Sequence, residues 1–366
     1  MTELERIIRS EIEAAGAISF ARFMELALYH PAHGYYERNL KQTGREGDFF
    51  TSVSVGSLYG EILGLDFAHR LDAMTGKDLV LIEAGAHDGR LACDLLEYLR
   101  EYQKEIFRRV TYVILEPSFH RAQKQFEMLA PYHGKVRWVK AWDDIEEFRG
   151  ICFSNELLDA MPVHVCRWNS ADRTWTEWGV AVCDAVLAWR PLPRAQQSER
   201  ARKLLARLPG GLLDVLPHDF TIELSPDAVS WWLQAAHRIA EGWLVTADYG
   251  FLQEDFFSPQ RANGTVRAYS KHHGNSNVLE ELGEQDITAH VNFSLLMKAG
   301  ESAALVTEDF VPQGVYLKTL VEQIEKSPVE FPLWTPMRYR QLLSLMHPEH
   351  LGRVFKVLVQ SRRAEG

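Results

Sequence analysis

DLVLIEAGAHDGRLACDLL, residues 78–96, places an apolar run directly before a glycine-containing turn and a leucine-rich helical pattern. The run predicts a buried strand, and the leucine spacing after Gly89 predicts a helix. The same order recurs in VTYVILEPS and FHRAQKQFEMLA at residues 110–130, and it continues through VRWVKAW and ICFSNELLDAMP within residues 136–162. Strands and helices that alternate at this pitch are typical of βαβ units. The sequence therefore predicts an α/β fold with a doubly wound parallel sheet.

The segments on either side of this core predict additions to it. Residues 1–75 predict a helical N-terminal segment, including a GDF loop at residues 47–52, that packs on a core formed by residues 76–366. After Pro162, VHVCRWNS and TWTEWGVAVCDAVLAWR alternate apolar and polar residues, which predicts antiparallel hairpins. We therefore expect an insertion at about residues 164–218 and a second, on the substrate side, at about residues 252–300.

The composition is that of an ordinary globular protein. The 366 residues include 40 basic and 50 acidic side chains, which give a net charge of −10, and 46% are hydrophobic. This acidic balance argues against a constitutive nucleic-acid binder, which needs a basic face. The four cysteines show no CxxC spacing, so we expect neither a metal site nor a disulfide framework. The charged N-terminus and the lack of a long apolar run predict a cytoplasmic protein that does not enter membranes.

Candidate binding residues follow the first two predicted strands. Ligands of an open parallel sheet bind beyond the carboxyl ends of its strands. Gly85 and Gly89 permit a tight turn and a close approach of the backbone to a ligand at a helix N-terminus, although a plain strand–helix turn has the same pattern. Glu116 ends the second strand, where an acidic residue commonly accepts from ribose hydroxyls. Alternatively, Glu116 is a solvated carboxylate at the end of a strand and binds no ligand.

Further acidic residues follow the next two strands. Asp143 and Asp144 offer a carboxylate to an adenine amine, or else one of them is the N-cap of a helix in IEEF, residues 145–148. Asn155, Glu156 and Asp159 bring two carboxylates and an amide towards one point. Such acceptors orient a cationic or proton-losing nucleophile, whereas Asn and Asp before a proline are also common in turns.

The order of these features is more informative than any one of them. A glycine turn followed by Glu, Asp and Asn-Glu at four successive strand ends is expected of a class I S-adenosylmethionine methyltransferase. A nicotinamide-dependent enzyme shares the first two features but more typically shows G-x-G-x-x-G. The spacing here, Gly85 and Gly89 with His87 between them, is different.

Longer motifs identify a family. HPAHGYY, GDFFTS with LYGEILG, LIEAGAHDGRLACDLL, ILEPS, SNELLDAMPV, TADYGF, GTVRAYSKH and DITAHVNFSLL together resemble the MidA family. This group contains the mitochondrial protein-arginine methyltransferase that assists assembly of respiratory complex I, together with many bacterial relatives. The resemblance implies a Rossmann-like, seven-stranded class I methyltransferase sheet with a helical N-terminal segment and inserted β-hairpins. It also implies S-adenosyl-L-methionine as cofactor and a methyl acceptor as partner, with a protein arginine as the first candidate.

The resemblance assigns roles residue by residue. The residues expected to bind the cofactor are Gly47, Asp48, Phe49, Thr51, Ser52, Glu83, Gly85, His87, Gly89, Glu116, Pro117, Asp143 and Asp144. Asn155, Glu156 and Asp159 are expected to face the acceptor as catalytic residues. Among the histidines, His290 in DITAHV is the candidate for substrate binding.

The sequence departs from the family at three places near the expected site. His87 stands where the family usually has glycine, residues 53–57 replace the usual P-E-I-S-Q, and Asn292 replaces an aspartate. These departures keep two alternatives open. One is a catalytically weak or inactive protein that binds S-adenosylmethionine and assists assembly of a partner, and the other is a methyltransferase of small molecules. Exposed hairpin edges at residues 164–190 also suit a homodimer.

Overall fold

The computed structural model describes residues 1–38, 51–270, 273–275 and 277–363. Helices α1 to α15 span Glu3–Ala15, Phe20–Tyr29, Tyr35–Arg38, Leu58–Asp72, Arg90–Tyr102, Lys104–Arg109, Phe119–Met128, Glu199–Leu205, Gly210–Leu213, Pro226–Arg238, Gln253–Phe256, Phe293–Ser302, Gln313–Lys326, Pro336–Met346 and Leu351–Val354. Strands β1 to β16 span Ile18–Ser19, Leu79–Ala84, Val110–Leu115, Val136–Val139, Phe148–Asn155, His164–Asn169, Thr174–Cys183, Val186–Pro191, Thr221–Leu224, Ile239–Phe251, Arg267–Ser270, His273–Asn275, Asp286–Thr288, Val291–Asn292, Val306–Pro312 and Phe355–Arg362.

The central sheet has the strand order β15-β16-β10-β5-β2-β3-β4, with β14 paired to the end of β10. The five strands from β10 to β4 are parallel, whereas β16 runs antiparallel to both of its neighbours. This confirms the α/β prediction and is the arrangement of a class I methyltransferase sheet. Because the chain continues from β2 to β3 on one side and later to β5 on the other, the strand order switches at β2. A ligand crevice is expected there.

Helices cover both faces of this sheet. On one face α4, α5 and α13 contribute buried residues such as Phe67, Leu95 and Leu317. On the other face α10 and α12 contribute Trp232 and Phe293. Burial on both faces explains why β2 and β3 read as continuous apolar runs rather than as alternating ones.

The chain between β5 and α10 builds a second sheet. Strands β6, β7, β8 and β9 pair antiparallel, and β1 of the N-terminal segment joins β7 through Ile18 opposite Val180. The antiparallel hairpins predicted after Pro162 are therefore present, and the sheet that they form extends to Leu224. The division of the chain at residue 75 stays a prediction.

The N-terminal segment reaches the crevice through two short helices. The Ser19 hydroxyl accepts a hydrogen bond from the Arg22 amide, 3.1 Å away, and so caps α2. At the other end of α2, Tyr29 and then Tyr36 of α3 lie beside the crevice. The Tyr36 hydroxyl donates to Asp286 Oδ1 of β13 over 2.8 Å. This bond links the N-terminal segment to the second predicted insertion.

Candidate active site

A cleft of about 670 Å³ opens at the carboxyl ends of β2, β3 and β5. Its volume lies within the usual range of small-molecule sites, about 300–1,000 Å³. The core sheet provides one wall, and the N-terminal segment and β13 provide the opposite wall. Most residues that the sequence analysis singled out line this cleft. Among the described ones, the exceptions are Ser52, Gly89, Asp144 and His290.

The turn after β2 requires its glycines. Gly85 has φ +74° and Gly89 has φ +86°, a backbone conformation that L side chains rarely adopt. A Cβ atom at Gly85 would lie 2.8 Å from Leu157 Cδ1 of the cleft wall. The Gly89 amide donates to the Ala86 carbonyl over 2.7 Å and closes the turn in front of α5. The turn thus brings backbone close to the cleft at a helix N-terminus, where anionic groups are favoured.

Glu83 lies one residue before the end of β2, and its carboxyl is buried. It is 2% exposed, and the Tyr112 hydroxyl donates to its Oε2 over 2.6 Å. Burial raises the pKa of Glu83 to about 8, although the bond from Tyr112 opposes this change. Glu83 is therefore mostly protonated at pH 7 and supplies the cleft with a neutral carboxyl group.

We expect Glu83→Gln to reduce the dependence of stability on pH. The folded protein holds a proton on Glu83 up to about pH 8, whereas the unfolded chain loses it near pH 4.5. Unfolding therefore releases a proton between these values, and stability falls as the pH rises through this window. Glutamine keeps an acceptor for Tyr112 but cannot titrate, so the melting temperature should fall less between pH 5.5 and 8. An unchanged slope in Glu83→Gln, with exposed Glu146→Gln as control, would contradict this assignment.

Glu116 is held by three groups at the end of β3. Its Oε1 accepts from the Ser118 amide at 2.9 Å and pairs with Arg121 Nη2 at 3.1 Å, while Oε2 accepts from Gln125 Nε2 at 2.9 Å. Burial raises the pKa of Glu116, and Arg121 partly opposes this rise. Each carboxylate oxygen can accept about two hydrogen bonds, so Oε2 keeps room for a hydroxyl donor. Pro117 also lines the cleft.

Gln125 is a site residue that the sequence analysis missed. It is fully buried on α7, donates to the His87 carbonyl over 3.0 Å and to Glu116, and accepts from Trp138 Nε1 over 3.1 Å. It thereby ties the glycine turn to the second strand end. Nothing in the residue type distinguishes it from the other polar residues of FHRAQKQFEMLA, because only the fold turns it inward.

The two aspartates after β4 have different surroundings. Asp143 lies at the cleft rim, and its Oδ1 pairs with Arg238 Nη2 at 3.2 Å. Asp144 does not line the cleft; its Oδ2 accepts from the amides of Lys140 and Ala141, each over 3.1 Å. The predicted alternative, an N-cap for a helix at residues 145–148, is wrong, because residues 145–147 are not helical and β5 begins at Phe148. Asp144 instead stabilises the start of the short helical turn Trp142–Asp144.

Two tryptophans beside these aspartates were not predicted as site residues. Trp142 and Trp231 both line the cleft, and their rings meet edge to face with centroids 5.3 Å apart. The sequence analysis gave neither of them a binding role. Together they form an apolar corner suited to a flat aromatic ring.

The NELLD motif lies directly after β5. Asn155 accepts from the Tyr59 hydroxyl over 2.9 Å and donates to Glu156 Oε1 over 3.0 Å. Glu156 has φ +51°, which is uncommon for a residue with a side chain. Its amide donates to the Ala247 carbonyl over 3.0 Å, and burial raises the pKa of its carboxyl to about 8. This backbone conformation is found at functional sites when the surroundings hold it in place.

A group of buried carboxyls surrounds Glu156. Asp159 and Asp286 line the cleft with it, and Asp248 lies behind them, where it accepts from the amides of Leu157 and Leu158. Burial raises the pKa of Asp159 well above its ordinary value, and the nearby Asp248 raises it further. Within the described residues, Glu156 and Asp159 form no ion pair with a lysine, arginine or histidine. This end of the cleft is therefore suited to a positively charged ligand.

The described part of the GDF loop closes against the NELLD motif. The Ser52 amide donates to Glu156 Oε1 over 3.2 Å, and the Ser52 hydroxyl donates to Gln313 Oε1 over 3.1 Å. Thr51 lines the cleft, and Ser54 stabilises the turn by accepting from the Thr51 amide over 3.0 Å. The predicted cofactor residues Gly47, Asp48 and Phe49 lie outside the described residues.

The prediction for His290 needs correction. Its ring stacks on Phe251 with centroids 4.8 Å apart and lies in a separate small cavity, not in the cleft. The same DITAHV motif supplies Asp286 and Thr288 to the cleft instead, because alternate residues of β13 face the same side. Asn292, one of the departures from the family, caps α12 by accepting from the Leu295 amide over 3.2 Å.

Metal-binding clusters and membrane-spanning helices are both absent from the described ranges. No group of three or more His, Cys, Asp and Glu residues there has a geometry that would hold a metal ion. Among the helices of the described chain, none combines the length and apolar character needed to span a bilayer.

The chain is similar to known methyltransferases over most of its length. The profile of a family of S-adenosyl-L-methionine-dependent methyltransferases matches residues 62–311. The protein arginine methyltransferase NDUFAF7 homolog, mitochondrial, of Drosophila melanogaster is 26% identical over 340 residues, which cover 87% of this chain and 74% of the fly protein. Protein arginine methyltransferase NDUFAF7, mitochondrial, of Homo sapiens is 25% identical over 402 residues, which cover 100% of this chain and 85% of the human protein.

Solved structures show the same architecture. A protein from Burkholderia thailandensis, crystallised with S-adenosyl-homocysteine, superimposes with a TM-score of 0.84 at 29% identity. The match covers 99% of this chain and 92% of the Burkholderia chain. A native crystal structure from the same organism gives a TM-score of 0.82 over the same shares.

Proposed function

This chain belongs to a family of S-adenosyl-L-methionine-dependent methyltransferases, and we propose that it transfers the methyl group to an arginine side chain of a protein. The observation that carries the choice of acceptor is the group of buried carboxyls at one end of the cleft. Glu156, Asp159 and Asp286 face a space in which a guanidinium would find several acceptors. The names of the relatives point to the same acceptor.

The other end of the cleft fits the cofactor. The glycine turn brings the backbone close to this end of the cleft. Glu116 retains an acceptor position for a hydroxyl, and the Trp142–Trp231 corner offers an apolar surface to an adenine. S-adenosyl-L-methionine supplies a methyl group on a positively charged sulfur. The residues that would hold it line this end of the cleft and are Gly85, Glu116, Pro117, Asp143 and Trp142.

The chain's own residues have two tasks in the transfer. The first is to position the acceptor, because fixed orientation alone removes about 7–11 kcal/mol from the barrier of a bimolecular reaction. Carboxylates bind a guanidinium through paired, charge-assisted hydrogen bonds, and Glu156 is itself fixed by Asn155 and Ser52. The second task is to accept the proton that the guanidinium loses, for which Glu156 is positioned once its carboxyl has ionised.

Binding of an arginine peptide should release protons. In the free protein Glu156 has a pKa of about 8 and is mostly protonated at pH 7. A guanidinium beside it favours the ionised form and lowers this pKa, so a proton leaves on binding. Affinity should therefore increase as the pH rises from 6 to 8. Calorimetry at pH 7 in phosphate and in Tris should give different heats for the arginine peptide, and a citrulline peptide should bind weakly without this difference; equal heats would contradict the role of Glu156.

The direct test of the function is a transfer experiment. The protein is incubated with S-adenosylmethionine that carries a deuterated methyl group and with proteins from a cell extract, and the hydrolysate is analysed by mass spectrometry. We expect labelled methylarginine. Label in small molecules alone would favour a small-molecule methyltransferase. Saturable cofactor binding without any labelled product would favour a binding protein that assists assembly, an alternative that the side chain of His87 in the glycine turn also suggests.

A further inference from the structure

We propose that the imidazole of His87 recognises a carboxylate of the bound ligand at the glycine-turn end of the cleft. This inference rests on the proposed function, since the ligand with a carboxylate is the amino-acid part of S-adenosyl-L-methionine. It assigns a binding role to a residue that departs from the family pattern. The side chain of His87 would then assist binding of the cofactor and would not exclude the cofactor sterically.

The first observation is the backbone conformation of His87, which glycine would adopt with less strain. His87 has φ +48°, in the left-handed region between Gly85 and Gly89. Its carbonyl accepts from Gln125 Nε2 over 3.0 Å, so the backbone of the turn is fixed from behind. His87 is among the residues that line the cleft. A side chain held in this conformation, at the edge of a ligand cleft, points to a function for that side chain.

The second observation concerns the two ring nitrogens. Nδ1 is buried and has no hydrogen-bond partner among the residues that the structure describes. Burying an N–H without an acceptor costs more free energy than burying a lone pair without a donor. The neutral ring therefore carries its proton on Nε2. Nε2 has no bonding partner in the described chain, and it is not enclosed as Nδ1 is. His87 therefore presents one N–H donor to the cleft.

The third observation is the charge around the ring. Burial lowers the pKa of His87, and the nearby Arg121 and Lys124 lower it further, while Asp88 acts in the opposite direction. The imidazole is thus neutral at pH 7 and binds through its fixed donor rather than through a charge. Arg121 is already paired with Glu116, and Asp88 accepts from the Arg90 amide at the start of α5, so the recognition depends on the Nε2–H donor and not on surplus positive charge. A carboxylate is the strong acceptor that this donor lacks.

Decarboxylated S-adenosylmethionine, which keeps the sulfonium and the amine, tests this inference. Calorimetry gives the dissociation constants of both ligands for the native protein and for His87→Gly. We expect the native preference for S-adenosylmethionine to shrink about tenfold in His87→Gly, since a hydrogen bond to a charged group is lost. His87→Asn, which tolerates the left-handed backbone and keeps an amide donor, should restore part of the preference.

Asp184→Gly is the matched control, because Asp184 has the same φ of +48° in an exposed hairpin turn. It should leave both constants unchanged. A preference that stays within about twofold in His87→Gly, or tighter binding of both ligands by that variant, would overturn the inference while the proposed function stands. If the native protein binds neither ligand, both the inference and the proposed function are wrong.

Discussion

Glu156→Gln should reduce kcat/KM for methyl transfer by about 100-fold or more while the dissociation constant of S-adenosylmethionine changes by less than about twofold. Glutamine has nearly the same shape and can keep the hydrogen bonds from Asn155 and Ser52 through its carbonyl oxygen. It cannot carry a negative charge beside a guanidinium or accept its proton. The loss should therefore appear in acceptor binding and turnover. Initial rates with an arginine peptide, together with calorimetry of the cofactor, measure the two effects separately.

Glu281→Gln provides a matched control for this variant. Glu281 has φ +46°, close to the +51° of Glu156, but its side chain is exposed. The same chemical change in the same backbone conformation should leave both the rate and the affinity at native values. If Glu156→Gln instead weakens cofactor binding and turnover by the same factor, Glu156 shapes the cofactor pocket and does not serve the acceptor.

Gly85→Ala should weaken binding of S-adenosylmethionine by about 10-fold to 100-fold. The new methyl group would lie 2.8 Å from Leu157 Cδ1, so either the turn or Leu157 must move. Forcing an additional carbon into a packed site costs about 1–3 kcal/mol. Because Leu157 follows Glu156 in the cleft wall, its displacement should also disturb the acceptor end. Calorimetry gives the loss of affinity, and chemical unfolding gives the accompanying loss of stability.

Gly16→Ala separates the backbone effect from the contact with Leu157. Gly16 has φ +79°, similar to Gly85, but a Cβ atom there would meet nothing within 4 Å. The Gly16→Ala variant should lose about 1–2 kcal/mol of unfolding free energy because of the left-handed conformation alone. Its affinity for the cofactor should stay at the native value. Equal cofactor affinity in the two alanine variants would show that the glycine turn does not approach the ligand.

The sequence pattern was sufficient for the core of the fold because that core repeats a simple rule. The apolar runs before Gly85 and Glu116 mark buried parallel strands, and their polar ends necessarily meet at one edge of the sheet. The alternation after Pro162 likewise predicted the antiparallel hairpins. By contrast, the pairing of β1 with β7 joins residues 18 and 180, and no local pattern contains that information.

The site was predictable to the extent that its residues follow strands. Glu83, Glu116, Asn155 and Glu156 lie in or beside the cleft because the backbone places them there. Gln125, Tyr36 and Trp142 were missed because their contribution depends on packing between distant segments. His290 and Asp286 show the limit most clearly, since DITAHV does supply residues to the cleft but His290 is not one of them. His290 has the same strand parity as Asp286, but β13 ends at Thr288, and the sequence alone did not show where that strand ends.

The central claim is that one cleft holds the cofactor at the glycine turn and an arginine side chain at the buried carboxyls. A crystal structure of the protein with S-adenosyl-homocysteine and an arginine peptide tests it most directly. We expect both ligands in the same cleft, with the homocysteine end at residues 85–89 and the guanidinium in hydrogen-bond contact with Glu156 and Asp159 or Asp286. A guanidinium bound outside the cleft, or S-adenosyl-homocysteine lying across the carboxyls themselves, would contradict it.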